Sequence, residues 1–267
     1  MPQHEYRTKK RFGQHFLHDH GVIHKLIQYI NPKNDQQIIE IGPGMGALTF
    51  PLLEHIQHME VIEIDRDVIK HLHQFGGDRL TIHNIDALKF NLEDLLKDNQ
   101  QMRIVGNLPY NISTPLIFHL LKYQTSIEDM HFMLQKEVVD RITAKPGSKT
   151  YGRLSVMVQY YCKTEYLFYV GPEAFNPPPK VDSAVIRLQP WMQKPYLADN
   201  VEVLAKVVAQ AFSMRRKTLR NTLKKLFTSE QIESVDINPS VRAETLSVKN
   251  FVDLSNLITL DELIALQ

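Results

Sequence analysis

Five short runs rich in apolar and β-branched residues, at 37–41, 60–64, 80–83, 103–106 and 130–135, alternate with stretches long enough to form helices. Parallel strands can be joined only through a long crossover, and the helix that makes the crossover also covers a face of the sheet. The alternation therefore predicts an α/β chain built on a Rossmann-like, mostly parallel sheet, with each run followed by a helix. Asp65 is placed to cap the helix after the second run, and Thr114-Pro115 to open the helix after the fourth. Beyond Gly152 the runs 154–161, 167–170 and 184–188 are β-rich and lack long crossovers, which predicts an antiparallel end to the sheet.

Residues 189–200, with Pro190 and Pro195, read as a linker, and no strand candidate follows them. The expected division is a catalytic domain, 1–189, with a basic N-terminal arm, and a small all-α domain, 190–267. A chain of 267 residues with 43% hydrophobic content can fill one large core and one smaller one. A helix is expected across 205–227, with Val208, Phe212, Leu219, Leu223, Leu226 and Phe227 on its buried side and Lys217, Arg220 and Lys224 facing outward. Near the C-terminus, Thr259 and Glu262 have the spacing of a capping box.

The single cysteine, Cys162, excludes an internal disulfide and a zinc–cysteine cluster, and fits a reducing compartment. The first 20 residues are polar and basic, and no apolar run is long enough to span a bilayer. A cytoplasmic monomer with no membrane partner is expected. His15, His18 and His20 lie on a polar arm without an evident further ligand, so no metal is expected there.

Net charge is only +1, but its distribution is uneven. Arg7, Lys9, Lys10 and Arg11 crowd the N-terminal arm, whereas Lys206, Arg215, Arg216, Lys217, Arg220, Lys224 and Lys225 fall in a stretch without one Asp or Glu. Solvated helix faces usually mix signs; two patches of one sign suit a polyanion. Of these cations, Arg7, Lys9, Lys10, Arg11, Arg215, Arg216, Lys217, Arg220 and Lys224 are the candidates for phosphate contacts.

The first strand runs into Glu40-Ile41-Gly42-Pro43-Gly44-Met45-Gly46-Ala47. Gly42, Gly44 and Ala47 satisfy a dinucleotide-binding pattern, while Gly42, Gly44 and Gly46 satisfy one common in S-adenosylmethionine enzymes; the loop alone decides nothing between them. Glu63, 21 positions after Gly42, closes the second strand where a carboxylate can accept ribose hydroxyls, and Asp86-Ala87 closes the third. Gly106-Asn107-Leu108-Pro109-Tyr110 then follows the fourth. An amide, a stiff turn and an aromatic face together suit the exocyclic amine of a flat ring, which N-methylation requires and hydride transfer does not.

Asn107-Leu108-Pro109-Tyr110 resembles the signature of N6-adenine methyltransferases in its ribosomal RNA variant. With Arg11-Phe12-Gly13-Gln14-His15-Phe16-Leu17, Tyr151-Gly152-Arg153-Leu154-Ser155-Val156 and the segments 106–115, 131–137 and 175–184, the chain resembles the bacterial small-subunit (16S) ribosomal RNA adenine dimethyltransferases. The similarity runs from about Thr8 to Arg242-Ala243-Glu244. What it implies is N6,N6-dimethylation of two adjacent adenosines in a helix loop near the 3′ end of 16S RNA, within the (pre-)30S particle. The implied cofactor is S-adenosylmethionine, contacted by His15, Leu17, Gly42, Gly44, Glu63, Asp86, Ala87 and Asn107. Asparagine is usual in the family where this chain has His15; a backbone contact survives that change. Asn107, Leu108, Pro109 and Tyr110 would grip a flipped adenine, with Phe175, before the stiff Asn176-Pro177-Pro178-Pro179, as the second stacking wall.

Overall fold

All five runs expected to be parallel are strands in the computed structural model, which describes residues 15–97, 100–259 and 261–262. In chain order the elements are β1 (Phe16–Leu17), α1 (His20–Ile30), β2 (Gln37–Ile41), α2 (Thr49–Leu53), β3 (Met59–Glu63), α3 (Arg66–Gly76), β4 (Leu80–Asn84), β5 (Met102–Asn107), α4 (Ser113–Leu120), β6 (Ile127–Gln135) and α5 (Lys136–Ile142). Then come α6 (Arg153–Tyr161), β7 (Cys162–Val170), β8 (Phe175–Asn176), β9 (Ser183–Pro190), α7 (Val201–Ala211), α8 (Leu219–Thr222), α9 (Ser229–Glu233) and α10 (Val248–Ser255).

Seven strands form one sheet in the order β4-β3-β2-β5-β6-β9-β7. β2 through β6 pair in parallel, and β9 lies antiparallel on β6. β2 and β3 are buried along their whole length, as strands covered on both faces must be. From β2 the chain builds toward β4 on one side and toward β6 on the other. The loops leaving β2 and β5 therefore part at their carboxyl ends, and a crevice opens there. Gly106 lets β5 come this close, since a Cβ at that position would collide with the Ile41 carbonyl oxygen.

An ion cluster lies within the sheet. Arg103 of β5 grips Asp129 of β6 through two bonds, of 2.8 and 2.9 Å, and Arg187 of β9 reaches the same carboxylate at 3.0 Å. Burial would raise the Asp129 carboxyl, but the Arg103 hydrogen bonds, the neighbouring His131 and the two guanidinium charges together outweigh it and hold it below the usual range. His131, buried alongside, is pushed down to about 4 chiefly by burial, so it stays neutral.

Several expectations need correction. Residues 154–161 are the helix α6, not a strand; Leu154, Ser155, Val156, Met157, Val158 and Tyr160 are all buried, so no helical stripe is visible in the sequence. Ser155 marks the start, since its Oγ accepts the Gly152 N–H at 3.0 Å. The run at 80–83 lacks its expected helix and is followed only by a 3₁₀ turn, Leu92–Leu95. The helix expected across 205–227 stops at Ala211, and a turn carries the chain to α8. Ser213 Oγ bonds back to the Gln210 carbonyl, and Thr218 is extended as the N-cap of α8. Asp65 does cap α3, accepting from Asp67 N at 3.0 Å, and Thr259 and Glu262 bond reciprocally.

Two compact units emerge, Met1–Val139 with Glu165–Pro190, and Asp140–Thr164 with Trp191–Gln267. The chain changes unit at Pro190/Trp191, one residue beyond the expected 189/190, and 140–164 groups with the helical segment rather than with the sheet. In that second unit α6 packs with α7 and α10, and Tyr151, Phe212 and Phe251 form an aromatic line. Among the described residues no helix is long and apolar enough to cross a membrane.

Candidate active site

The crevice at the carboxyl ends of β2 and β5 is lined from three directions. Gly42 leaves β2 with φ of 69°, a region side-chain-bearing residues rarely adopt, while its N–H still reaches back to the Ile62 carbonyl at 3.0 Å. Glu63, at the end of β3, accepts the Ile64 and Asp65 N–H groups through Oε1, both at 2.8 Å, so the first turn beyond the strand fixes its carboxylate. Burial raises this carboxyl, opposed by those same N–H donors. Asp86, beyond β4, accepts Leu88 N through Oδ1 at 3.0 Å.

Ile64 and Ile85 line the same crevice yet remain 46% and 37% exposed. Apolar side chains left uncovered beside two carboxylates suit a flat ring carrying a ribose. Sequence reading missed both, although each is the apolar neighbour of an acid at a strand end. It also passed over Glu40, which is fully buried in β2 and lines the crevice. Burial pushes the Glu40 carboxyl up to about 8 against a 2.6 Å bond from Thr49 Oγ1, with Glu63 raising it further. Its place inside a strand made it look like core.

The loop after β5 forms the third side. Asn107 donates from Nδ2 to the His15 carbonyl at 3.0 Å, which ties down the nitrogen of the amide and leaves Oδ1 as an acceptor. Pro109's carbonyl already accepts Ile112 N at 3.1 Å. Tyr110 is anchored by a 2.6 Å bond between its hydroxyl and Ser183 Oγ of β9. His15 lies against it, with ring centroids 5.9 Å apart and planes inclined by 25°.

His15, Leu17, Gly42, Gly44, Glu63 and Asp86 all line this one cavity, as do Ala87, Asn107, Leu108, Pro109 and Tyr110. Phe175 does not. Its ring is 2% exposed and belongs to the apolar core, since β8 pairs with β1 and carries Phe175 inward opposite Leu17. The expected second wall is thus not a cavity-lining group in this arrangement. Among the described residues no cluster of three His, Cys, Asp or Glu side chains is placed to hold a metal.

In the second unit the basic stretch is a turn and a short helix, with Arg216, Lys217, Arg220 and Lys224 exposed. Arg215 differs from them in its contacts: it donates to the Lys149 carbonyl and lies 3.7 Å from Glu244, while its side chain stays largely exposed. Arg7, Lys9, Lys10 and Arg11 lie outside the described residues.

A family model described as ribosomal RNA adenine dimethylase matches residues 5–260. The ribosomal RNA small subunit methyltransferase A of Alcanivorax borkumensis is 53% identical over 95% of this chain and 91% of its own length. That of Hydrogenovibrio crunogenus is 54% identical over 98% and 100%. Among solved structures, a dimethyladenosine transferase from Plasmodium falciparum matches with a TM-score of 0.76 and 27% identity, over 90% of this chain and 96% of that one. The 23S rRNA methyltransferase ErmE, at 22% identity and a TM-score of 0.72 over 91% and 98%, shares the fold.

Proposed function

The chain belongs to the ribosomal RNA adenine dimethylase family, and from that premise we propose which of its residues seat the adenine and where on the ribosome it acts. It is an S-adenosylmethionine-dependent ribosomal RNA adenine N6,N6-dimethyltransferase of the small-subunit type. The observation that supports the assignment of its site is the Asn107 amide, which lines the crevice and is oriented by a bond from its nitrogen to the His15 carbonyl.

S-adenosylmethionine, when bound, supplies a methyl group already activated on a positively charged sulfur. Gly42 and Gly44 give its chain access to the backbone, Glu63 accepts the ribose hydroxyls, and Ile64, Ile85 and Asp86 with Ala87 hold its adenine, with Leu17 closing the near side. What remains is to make a poor nucleophile attack. The lone pair of an adenine amine is delocalised into the ring. Asn107 Oδ1 and the Leu108 carbonyl accept its two N–H bonds, which favours a pyramidal nitrogen aimed at the methyl carbon. Leu108 is assigned rather than Pro109 because the Pro109 carbonyl is already engaged. No strong base is needed, since the nitrogen becomes acidic only once it carries the methyl group.

A paired or stacked base cannot enter such a crevice, so the adenine is flipped out and laid on Tyr110. The substrate assigned is a pair of adjacent adenosines in a helix loop near the 3′ end of 16S RNA, presented by the (pre-)30S particle to a monomer. Labelled cofactor offered with undermethylated 30S particles, 50S particles and naked RNA tests this. Label confined to that loop is expected; label on 50S particles alone would reject it.

Two further outcomes follow from the site. Cofactor positive charge in the crevice favours ionised Glu40, so binding expels a proton while Glu40 is neutral. Affinity should rise by up to about tenfold per pH unit as pH climbs toward 8 and then level off, and Glu40→Gln should flatten the profile. Titration calorimetry from pH 6 to 9 reads both. The exposed cations of the second unit are assigned to phosphates. Replacing Arg216, Lys217 and Arg220 together with glutamine should make the slope of log affinity against log salt shallower by about 2–3. An unaltered slope in filter-binding assays would remove them from the interface.

A further inference from the structure

We propose that Ser183 is a positioning residue for methyl transfer: through its bond to the Tyr110 hydroxyl it sets the plane of the ring on which the target adenine is laid. The inference rests on reading the crevice as an adenine methylation site, and it gives the Tyr110 hydroxyl the part of a tether rather than of a proton acceptor.

The register of the sheet brings the two residues together. Asn107 at the end of β5 lies opposite Met133 of β6, and Met133 opposite Val185 of β9. Ser183 pairs with Gln135, two residues beyond that row, on the side where the Tyr110 loop leaves β5. Its Oγ is 2.6 Å from the Tyr110 hydroxyl. Ser183 is itself fully buried and does not line the crevice, so it reaches the base only through the tyrosine. Its own place is fixed by the preceding residue. Asp182 accepts the Lys136 N–H at 2.9 Å through its carbonyl and the Tyr169 hydroxyl at 2.9 Å through Oδ1.

The main chain of the loop is held separately. Leu108 N donates to the Met133 carbonyl at 3.2 Å, and Ser113 Oγ donates to the Tyr110 carbonyl at 3.2 Å. Those bonds place the Tyr110 backbone but leave its side chain free to rotate; the half-buried ring is fixed by its far end, at Ser183. A base stacks at lower ordering cost on a ring already held than on one it must immobilise. The phenol is also poorly suited to take a proton. Burial raises its pKa above the ordinary tyrosine value, opposed by the Ser183 bond, so it stays protonated at neutral pH with its oxygen turned to β9.

The test is a double-mutant cycle on undermethylated 30S particles, with Tyr110→Phe, Ser183→Ala and the two combined, reading kcat, KM for the particle and, separately, cofactor Kd. Each single change keeps an aromatic ring but removes the tether. It should lower kcat/KM about three- to tenfold, the range for one lost hydrogen bond, with cofactor Kd within about twofold of the unaltered enzyme. The double variant should lose no more than about twofold beyond either single one, because the same bond is broken in all three. A serine that merely packs the sheet would add its own loss to that of Tyr110→Phe, so losses that multiply overturn the proposal. A Tyr110→Phe variant that matches the unaltered enzyme overturns it too, and that result stands even if Ser183→Ala is too unstable to assay. A loss in Tyr110→Phe about tenfold or more beyond that in Ser183→Ala would give the hydroxyl a part in proton transfer and reject the tether. If the unaltered enzyme itself fails to methylate adenine in 30S particles, the functional reading falls instead, so the two failures are distinguishable.

Discussion

Asn107→Ala is expected to lower the rate of methyl transfer by about 10²–10³, the cost of removing one preorganised polar contact from a site where charge develops. In the proposed site the amide would do more than touch the substrate. Its nitrogen is committed to the His15 carbonyl, so its oxygen is in place before the base arrives and no reorganisation is needed during attack. Alanine removes that acceptor while leaving Gly42, Glu63 and Asp86 untouched, so cofactor affinity should fall by only a few-fold. Asn107→Asp is a sharper control, because it would set a carboxylate oxygen against a carbonyl that now accepts a hydrogen bond. Single-turnover assays at saturating cofactor separate the two effects. Near-normal turnover in the alanine variant would mean that the amine is held by something else.

The second large effect lies away from the chemistry. Asp129→Ala leaves the Arg103 guanidinium buried without its bidentate partner and Arg187 without its bond, while neutral His131 can replace neither. Breaking a buried pair from one side costs about 3–5 kcal/mol, because the surviving charge is left uncompensated. For a unit of this size that is on the order of 10 °C in Tm. The acid limit follows the same logic. The Asp129 carboxyl is held below its unfolded value, so its stabilisation is complete above the unfolded pKa and is lost as pH falls through the depressed folded one. Thermal unfolding of Asp129→Ala at neutral pH should show the drop, and the difference from the unaltered protein should shrink under strongly acidic conditions. An unshifted melting curve would show that Arg103 finds another partner, with Gln36 Oε1, already 2.9 Å from Nη1, the nearest to hand.

How far the sequence carried this reading depended on whether a residue's role is local. Parallel strands announced themselves because both faces of β2 and β3 are buried and the runs are short. That Gly42, Glu63, Asp86 and Asn107 share one crevice was legible because each lies at or just beyond a strand end, and strand ends at a switch point converge there. α6 was not legible, since a helix buried on most sides shows no stripe. Nor was the break after Ala211, where the apolar positions continue in register while local hydrogen bonds of Ser213 and the cap at Thr218 end the helix. Arg215 and Phe175 illustrate the remaining gap. Spacing alone cannot report that a cation lies beside Glu244, or that a two-residue strand turns a phenylalanine into the core.

The proposed use of Asn107 Oδ1 and the Leu108 carbonyl as the amine's two acceptors would have a consequence for how the reaction ends. An unmodified amine offers two hydrogens to two acceptors; each transfer removes one, and the finished dimethylamine offers none. Both oxygens then sit desolvated against methyl groups, at about 1–3 kcal/mol apiece. With that assignment the product would be rejected by the same atoms that welcomed the reactant, and the count would stop at two without any device to measure it.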